Sequence, residues 1–494
     1  MTIRISKTIL PLAALLAFAS FSLAADTITV TEGGLTTTYD ATPYYAKPLG
    51  YSVTRDPDPP KYVTPATKSP WSLLNQYSWL DAGLDYRFRY EYRDDDIRRT
   101  VDGVDQPLLH RTRLYLGVRD IVDPLRFAVE IQDSHRYNGN FIKDNRDVNE
   151  LEPIRAYVEL YLIDVLPADA QGNSRPISVR YGLHNFEFLD RRLIGNNQWR
   201  NTANGFRGLH ASVGQDNSDW QVDLLHLQPM KRIPYDPDRT EAGQTFNAVI
   251  GHWRKWSETV TIEPFFLQLK DKTVANGGRE VNTPGIRAYG PIGKTGFDFD
   301  ASFIAQSGHN GNRQVDAWAA WAELGYSFGD SSKSRLSLFY GAITGDDALT
   351  TATDERFERF YGFQRPWSAD DYFVLENSIA PKIRFESTPD TNLRYDVGYS
   401  WFKLYSASDR FNNLASVGAV PSNNFNRDSS GQSGRNVGSE FDLRFLWQVT
   451  PQTLVTVGYA HFINGGWTKN RLTVAGRPTK DSDFAYVEVL TKLF

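Results

Sequence analysis

Arginine recurs in several stretches that are otherwise rich in aromatic and aliphatic side chains. Arg87 and Arg89 lie two residues apart, as do Arg111 and Arg113, and Arg155, Arg180, Arg394 and Arg444 occur singly. A guanidinium is a planar fork of donors that grips a carboxylate at two points, so a group of them on one surface suits uronates or small organic acids. Asp85, Glu91, Glu130, Glu159, Glu440 and Asp442 sit in the same stretches at positions of matching parity. They allow a second account, in which the arginines form cross-strand ion pairs that stiffen a wall. Arg191, Arg192, Asn196, Asn197 and Trp199 cluster around Gly195. That stretch reads either as a segment folded inward to form a constriction or as a solvated loop set by glycine and asparagine turn chemistry.

No catalytic constellation emerges. None of the eight histidines forms an HExxH or HxH pattern, and no serine sits in a GxSxG elbow. The absence of cysteine removes thiol nucleophiles, thiolate metal sites and a disulfide framework. No cofactor or metal is expected. Asp94-Asp95-Asp96 and Asp346-Asp347 read as solvated charge, with calcium or lipopolysaccharide bridging as the alternative.

The stretch from Val437 to Phe462 shows the kind of element that must position these side chains. Val437, Ser439, Phe441, Leu443, Phe445 and Trp447 fall on one side, and Gly438, Glu440, Asp442, Arg444 and Leu446 on the other. A period of two marks a strand with one apolar and one charged face. A turn over Gln448 to Pro451 leads to a second such strand, in which Val455, Val457 and Tyr459 oppose Thr456, Gly458 and Ala460. Leu84, Tyr86, Phe88, Tyr90 and Tyr92 alternate in the same way with Asp85, Arg87, Arg89, Glu91 and Arg93. Further strands are expected near 113–119, 127–132, 154–162, 176–184, 206–214, 219–228, 245–254, 258–270, 284–291, 295–306, 315–328, 334–343, 378–387, 392–403 and 484–494. The total is about 18.

The connections between these strands are alternately short and long. Short ones fall at 120–124, 215–218, 255–257, 292–294, 387–390 and 448–451. Long ones fall near 134–152, 185–205, 229–244, 344–377, 404–435 and 463–483. A soluble sandwich has no physical reason to gather its long loops at one end. A transmembrane antiparallel β-barrel does, with short periplasmic turns and long extracellular loops. The fold class is therefore all-β, with apolar positions facing lipid and the intervening arginines lining a lumen. In a confined pore of low dielectric, those arginines attract anionic solutes more strongly than in water.

The chain opens with Arg4 and Lys7, an apolar run from Ile9 to Leu23, and Ser22-Leu23-Ala24, the pattern of a signal peptide over residues 1–24. Without those residues the chain has 52 basic and 59 acidic side chains, a net charge of −7, which argues against nucleic acid as a partner. Aromatics make up 13% of the chain and recur at strand ends, as interfacial girdles require. Residues 25–76 carry Pro43, Pro48, Pro57, Pro59, Pro60, Pro65 and Pro70. They are read as an extended periplasmic segment, with a plug inside the pore as the alternative. The barrel is expected over 77–494.

Two blocks resemble a known family. Arg180-Tyr-Gly-Leu-His184, Arg192-Leu-Ile-Gly-Asn-Asn-Gln-Trp199, Asn201 and Phe206-Arg-Gly208 resemble a strand-and-loop block of the alginate-export family of outer-membrane porins. Val437-Gly-Ser-Glu-Phe-Asp-Leu443 resembles that family's penultimate hairpin, and the terminal Phe494 resembles the barrel assembly signal. The resemblance implies a monomeric 18-stranded barrel in the outer membrane, contacting lipid and lipopolysaccharide and passing an anionic or sugar-like solute. Polysaccharide export, with a periplasmic partner delivering cargo, falls within that implication. Two other readings stay open: an outer-membrane barrel enzyme, and a structural or adhesive barrel plugged by its loops.

Overall fold

The computed structural model describes residues 56–493 except 97–102, 142, 144, 164, 258, 348–351, 363–367, 370–375 and 412–425, together with an antiparallel hairpin of Thr27–Glu32 and Leu35–Asp40. The expected signal peptide and Phe494 lie outside the described residues. Eighteen long strands follow one another in chain order. The first nine are β1 (Leu80–Asp94), β2 (Leu108–Val122), β3 (Leu125–Tyr137), β4 (Asn149–Leu162), β5 (Ile177–His184), β6 (Phe206–Gly214), β7 (Trp220–Lys231), β8 (Gln244–Trp253) and β9 (Thr261–Asp271). The others are β10 (Arg279–Pro291), β11 (Phe297–Asn310), β12 (Arg313–Ser327), β13 (Arg335–Ile343), β14 (Ser378–Asp390), β15 (Leu393–Leu404), β16 (Asn436–Gln448), β17 (Thr453–Asn464) and β18 (Ser482–Lys492). Each pairs antiparallel with its neighbours, and β18 returns to β1 with Glu488 opposite Arg89, closing an 18-stranded barrel.

Closure removes the sheet edges that a bilayer core does not tolerate. The six short connections expected from the sequence all join an even strand to the next odd one, so they lie at the end where β1 begins, the periplasmic end. The six long connections all lie at the opposite end. Two connections depart from the simple pattern. The connection from β4 to β5 is long although it lies at the periplasmic end, and its residues 165–176 are held by Asp169 and by an Arg175–Asp219 ion pair at 2.8 Å. Residues 311–312 make a tight turn at the far end, where Gly311 takes a left-handed φ of +59°.

The wall is inverted relative to a water-soluble protein. Phe127, Val129, Ile286, Phe303 and Leu338 are exposed on the outer surface, whereas Arg89 and Glu91 are 1% exposed and Glu130 0%. Outward Trp253, Trp447, Phe297 and Phe328 stand at the periplasmic ends of β8, β16, β11 and β12, matching an aromatic girdle. Glu488 and Lys492 interrupt the apolar alternation of β18 because their side of the strand faces the lumen, where both border a cavity. Asp95, Asp96 and Asp346, expected as solvated charge, are buried. Asp96 pairs with Arg93 at 3.1 Å and Asp346 with Arg313 at 2.6 Å.

Ile286 lies mid-strand on the outer face of β10, 47% exposed to what would be lipid. Ile286→Arg is expected to destabilise the folded barrel by about 2–4 kcal/mol in bilayers. Urea titration in lipid vesicles measures this, and an unchanged midpoint would show that the face is not lipid-exposed.

Candidate functional site

Residues 185–205, between β5 and β6, fold into the lumen. Three arginines of β1 and β2 converge on their backbone. Arg87 donates to the carbonyls of Gln198 and Arg200, both at 2.8 Å, and to Asn201 Oδ1 at 3.1 Å. Arg89 donates to the Trp199 carbonyl at 2.6 Å, and Arg111 to the Gln198 carbonyl at 3.0 Å. Trp199 lies against the Arg89 guanidinium, 4.0 Å from ring centre to Cζ, and edge-on to Tyr486 at 4.7 Å. Asn201 also donates to the carbonyls of His110, His135 and Asp147, tying the loop to β2, β3 and the 138–148 connection. A loop lacking ladder partners needs such substitutes for its backbone carbonyls, and guanidinium donors make strong ones.

The other side of the loop is held differently. Phe186, Phe188, Leu189, Leu193 and Ile194 pack in one cluster with lumen-facing residues of β7 to β13, among them Leu227, Phe246, Ile250, Leu267, Ile304, Ala319 and Phe339. Phe357 and Phe360 of the 344–377 connection join this cluster, and Tyr361 bridges in parallel to Ile194. The lumen is therefore apolar along one arc and lined by charged side chains along the other. Below the apolar layer, toward the periplasmic end, polar groups return. His252 contacts Glu263 at 2.8 Å, and Arg287 joins Glu263 at 3.0 Å to Asp300 at 2.6 Å.

The Pro-rich segment also reaches the lumen. Thr64–Pro65 pairs with Asp81 and Ala82 of β1 at the seam below the end of β18. From there residues 63 to 56 run along the inner wall. The Tyr62 hydroxyl donates to Glu130 at 2.5 Å, and Asp58 bridges Arg155 at 3.1 Å and Arg180 at 2.7 Å. Gly83 makes room for this passage, since a Cβ there would lie 2.7 Å from the Tyr62 carbonyl oxygen. Burial pushes the Asp58 carboxyl up, but Arg155 and Arg180 outweigh it and hold the group below its usual range.

Between this segment and the inward loop lies a cavity of about 320 Å³. Its lining includes Arg87, Arg111, Arg113, Arg155, Arg191, Arg444, Lys61 and Lys492 against only Asp56, Asp85 and Glu488, with Tyr62, Trp199 and Leu490 as apolar surface. Most of these cations are matched. Arg113 forks onto Asp85 at 2.5 Å and 2.9 Å, and Arg444 meets Asp396 at 2.8 Å. Arg155 pairs with Glu130, and Arg87 lies 3.7 Å from Glu488; outside the cavity, Arg180 pairs with Glu159 at 2.8 Å. Arg111 differs. It is 3% exposed, its Nε lacks a partner, and among the described residues it makes no ion pair.

The residues singled out in the sequence thus separate. Arg87, Arg89, Arg111 and Arg113 converge at the loop, and Arg155 and Arg180 converge on Asp58. Arg394 stands apart near the periplasmic mouth, paired with Glu386 at 3.0 Å. In the loop, Arg192 pairs with Asp190 at 2.7 Å beside Phe339, and Asn197 takes a left-handed φ of +61° that asparagine tolerates. The apolar arc escaped the sequence reading. Its signal was strands apolar on both faces, such as Val315, Ala317, Ala319 and Trp321 opposing Trp318, Ala320, Ala322 and Leu324 in β12.

The alginate export family matches residues 78–477. The chain belongs to the alginate export family. Its barrel is similar to solved Pseudomonas aeruginosa structures: OpdK with vanillate (TM-score 0.55, 12% identity, 84% of this chain and 98% of that one) and OccK8, also called OprE (0.53, 13%, 84% and 98%). OccK11, also called OpdR, is a third (0.53, 12%, 84% and 96%). At these identities the likeness establishes the fold. No curated protein sequence matches. A chain of this family with this barrel is a channel of the cell outer membrane that passes solutes. In this member of the family, the 192–199 block that carried the resemblance is part of the inward loop.

Asn201→Ala removes the side chain that ties the loop to β1, β2, β3 and the 138–148 connection. It is expected to weaken docking by about 1–3 kcal/mol. Higher single-channel conductance and faster proteolysis within 185–205 would show this. If both stay at wild-type values, the loop is held chiefly by the apolar arc.

Proposed function

We propose that this protein is a passive, anion-selective channel whose solute carries carboxylate and hydroxyl groups. The observation that carries this reading is Arg111, a buried guanidinium without a carboxylate partner among the described residues, in a cavity where basic side chains outnumber acidic ones. In a narrow, low-dielectric passage that surplus concentrates anions. The donors suit carboxylates, and Tyr62 and Trp199 offer flat faces for a sugar ring or an aromatic body.

A volume of 320 Å³ is at the small end of ligand sites, which span about 300–1,000 Å³. The described state therefore suits a small acid. A polysaccharide strand, which the family description favours, requires the 185–205 loop or the 56–65 segment to move aside. Closure of the barrel within one chain supports a monomeric channel. A periplasmic partner that delivers cargo belongs to the polysaccharide version of the proposal.

Single-channel recording in a planar bilayer under a salt gradient tests the reading. The wild-type protein is expected to select anions, and Arg111→Glu to move the reversal potential toward cations. Arg394→Glu, at a paired position near the mouth, is expected to move it much less. Equal shifts, or none, would rule out Arg111 as the filter. Block by glucuronate alone would favour a small-acid channel, and block by oligouronate at lower concentration would favour the polymer.

A further inference from the structure

The segment from Pro57 to Val63 is bound to the barrel in an unusual way. Pro57, Pro59 and Pro60 have no N–H to donate, so this stretch cannot extend the sheet ladder. Among the described residues its polar attachments are few: Asp58 between Arg155 and Arg180, the Tyr62 hydroxyl on Glu130, and the Lys61 carbonyl, which accepts from Lys492 Nζ at 3.1 Å, with the Asp56 N–H just before it donating to Glu187 Oε2 of the inward loop at 2.9 Å. Tyr62 and Val63 cover a small apolar patch of the inner wall made of Tyr115, Ala128 and Tyr157. The firm anchor is Thr64–Pro65, at the seam with β1.

Asp58 has the geometry of a ligand. Each of its two carboxylate oxygens meets a guanidinium from a different source, Oδ1 from Arg155 of β4 and Oδ2 from Arg180 of β5. About a quarter of its side chain remains open to the lumen, and Arg155 also borders the 320 Å³ cavity. Neither arginine depends on Asp58 for charge balance. Arg155 keeps Glu130, and Arg180 keeps Glu159. Departure of Asp58 therefore strands no buried charge, the condition under which breaking an ion pair is most costly.

We infer that the Arg155–Arg180 fork is a carboxylate subsite of the channel, occupied at rest by Asp58 as a tethered competing ligand. A carboxylate reaching Arg155 from the cavity exchanges with Asp58, and the 56–63 segment then lifts from the wall. The inference rests on the proposed anionic solute and adds the position at which that solute meets the chain's own N-terminal segment.

The chain has no cysteine, so Ala128→Cys places a unique thiol beneath the segment. Its labelling by a charged methanethiosulfonate, in folded protein verified by heat-modifiable migration, reports lifting. In the A128C protein labelling is expected to be slow. It should become several-fold faster with millimolar glucuronate, and stay slow with chloride at equal ionic strength or with glucose. Adding Asp58→Asn should make labelling fast without any acid, and Asp58→Glu should restore both the slow rate and the response. Acceleration by Asp58→Asn but not by glucuronate would overturn exchange and leave a structural ion pair. Rates unaffected by both would overturn the role of Asp58 altogether. This readout does not depend on ion selectivity, so failure of the anion-channel reading in bilayers and failure of the exchange are seen separately.

Discussion

A sheet in lipid must satisfy every backbone group internally, and here it does so by closing β18 onto β1. The rest of the structure depends on that closure. With no edge and an apolar surround, the period-two alternation of each strand sends its charges to one place, the lumen. Charges so concentrated must find partners, because an uncompensated buried ion is severely destabilising. The ion-pair belts are the result: Arg287 with Glu263 and Asp300, Arg335 with Asp298 and Glu323, Arg384 with Asp396 and Asp442. They occupy the positions that hydrophobic side chains fill in a soluble core.

Against that background of matched pairs, the β1–β2 arginines are distinctive in what they hold. Arg87, Arg89 and Arg111 donate to peptide carbonyls of an inward loop. Arg89 also pairs with Glu91 at 2.9 Å and Glu488 at 3.2 Å, and Arg87 lies 3.7 Å from Glu488, so of the three only the Arg111 charge is left without a carboxylate among the described residues. The opposite side of the loop is held by Phe186, Phe188, Leu193 and Ile194 against the apolar arc. The two attachments have different physics. The polar one is directional, and the apolar one is broad and tolerant of small shifts. A loop gripped this way narrows the passage beside the cavity that Arg87 and Arg111 border.

The N-terminal segment narrows the same passage from below. Gly83, Tyr62 and Asp58 form one arrangement: the glycine leaves space, the tyrosine covers a small apolar patch, and the aspartate takes up two guanidiniums. The cavity lies where this segment and the loop approach each other, bordered by Pro57, Pro60 and Tyr62 on one side and Asn196, Gln198 and Trp199 on the other. Both bordering elements belong to connections or termini. The rigid wall supplies the charges, and less regular chain sets the size of the opening.

Much of the fold was determined by the sequence alone, because barrel architecture is written in local periodicity and in the alternation of turn lengths. The strand number, the lumen-facing parity of Arg87, Arg113, Arg155 and Arg444, and the end at which the long loops gather all follow from those patterns. Tertiary structure decided the functional details. Whether Arg113 is a filter or a strut depends on Asp85 lying opposite it across β1 and β2, a matter of register. That Arg111 lacks a carboxylate partner among the described residues, that Gln198 and Trp199 reach the β1–β2 arginines, and that Asp58 lies in the lumen are matters of residues far apart in the chain. Local sequence carries no record of them, because they arise only when closure brings β1, β5 and the N-terminal segment around one enclosed space.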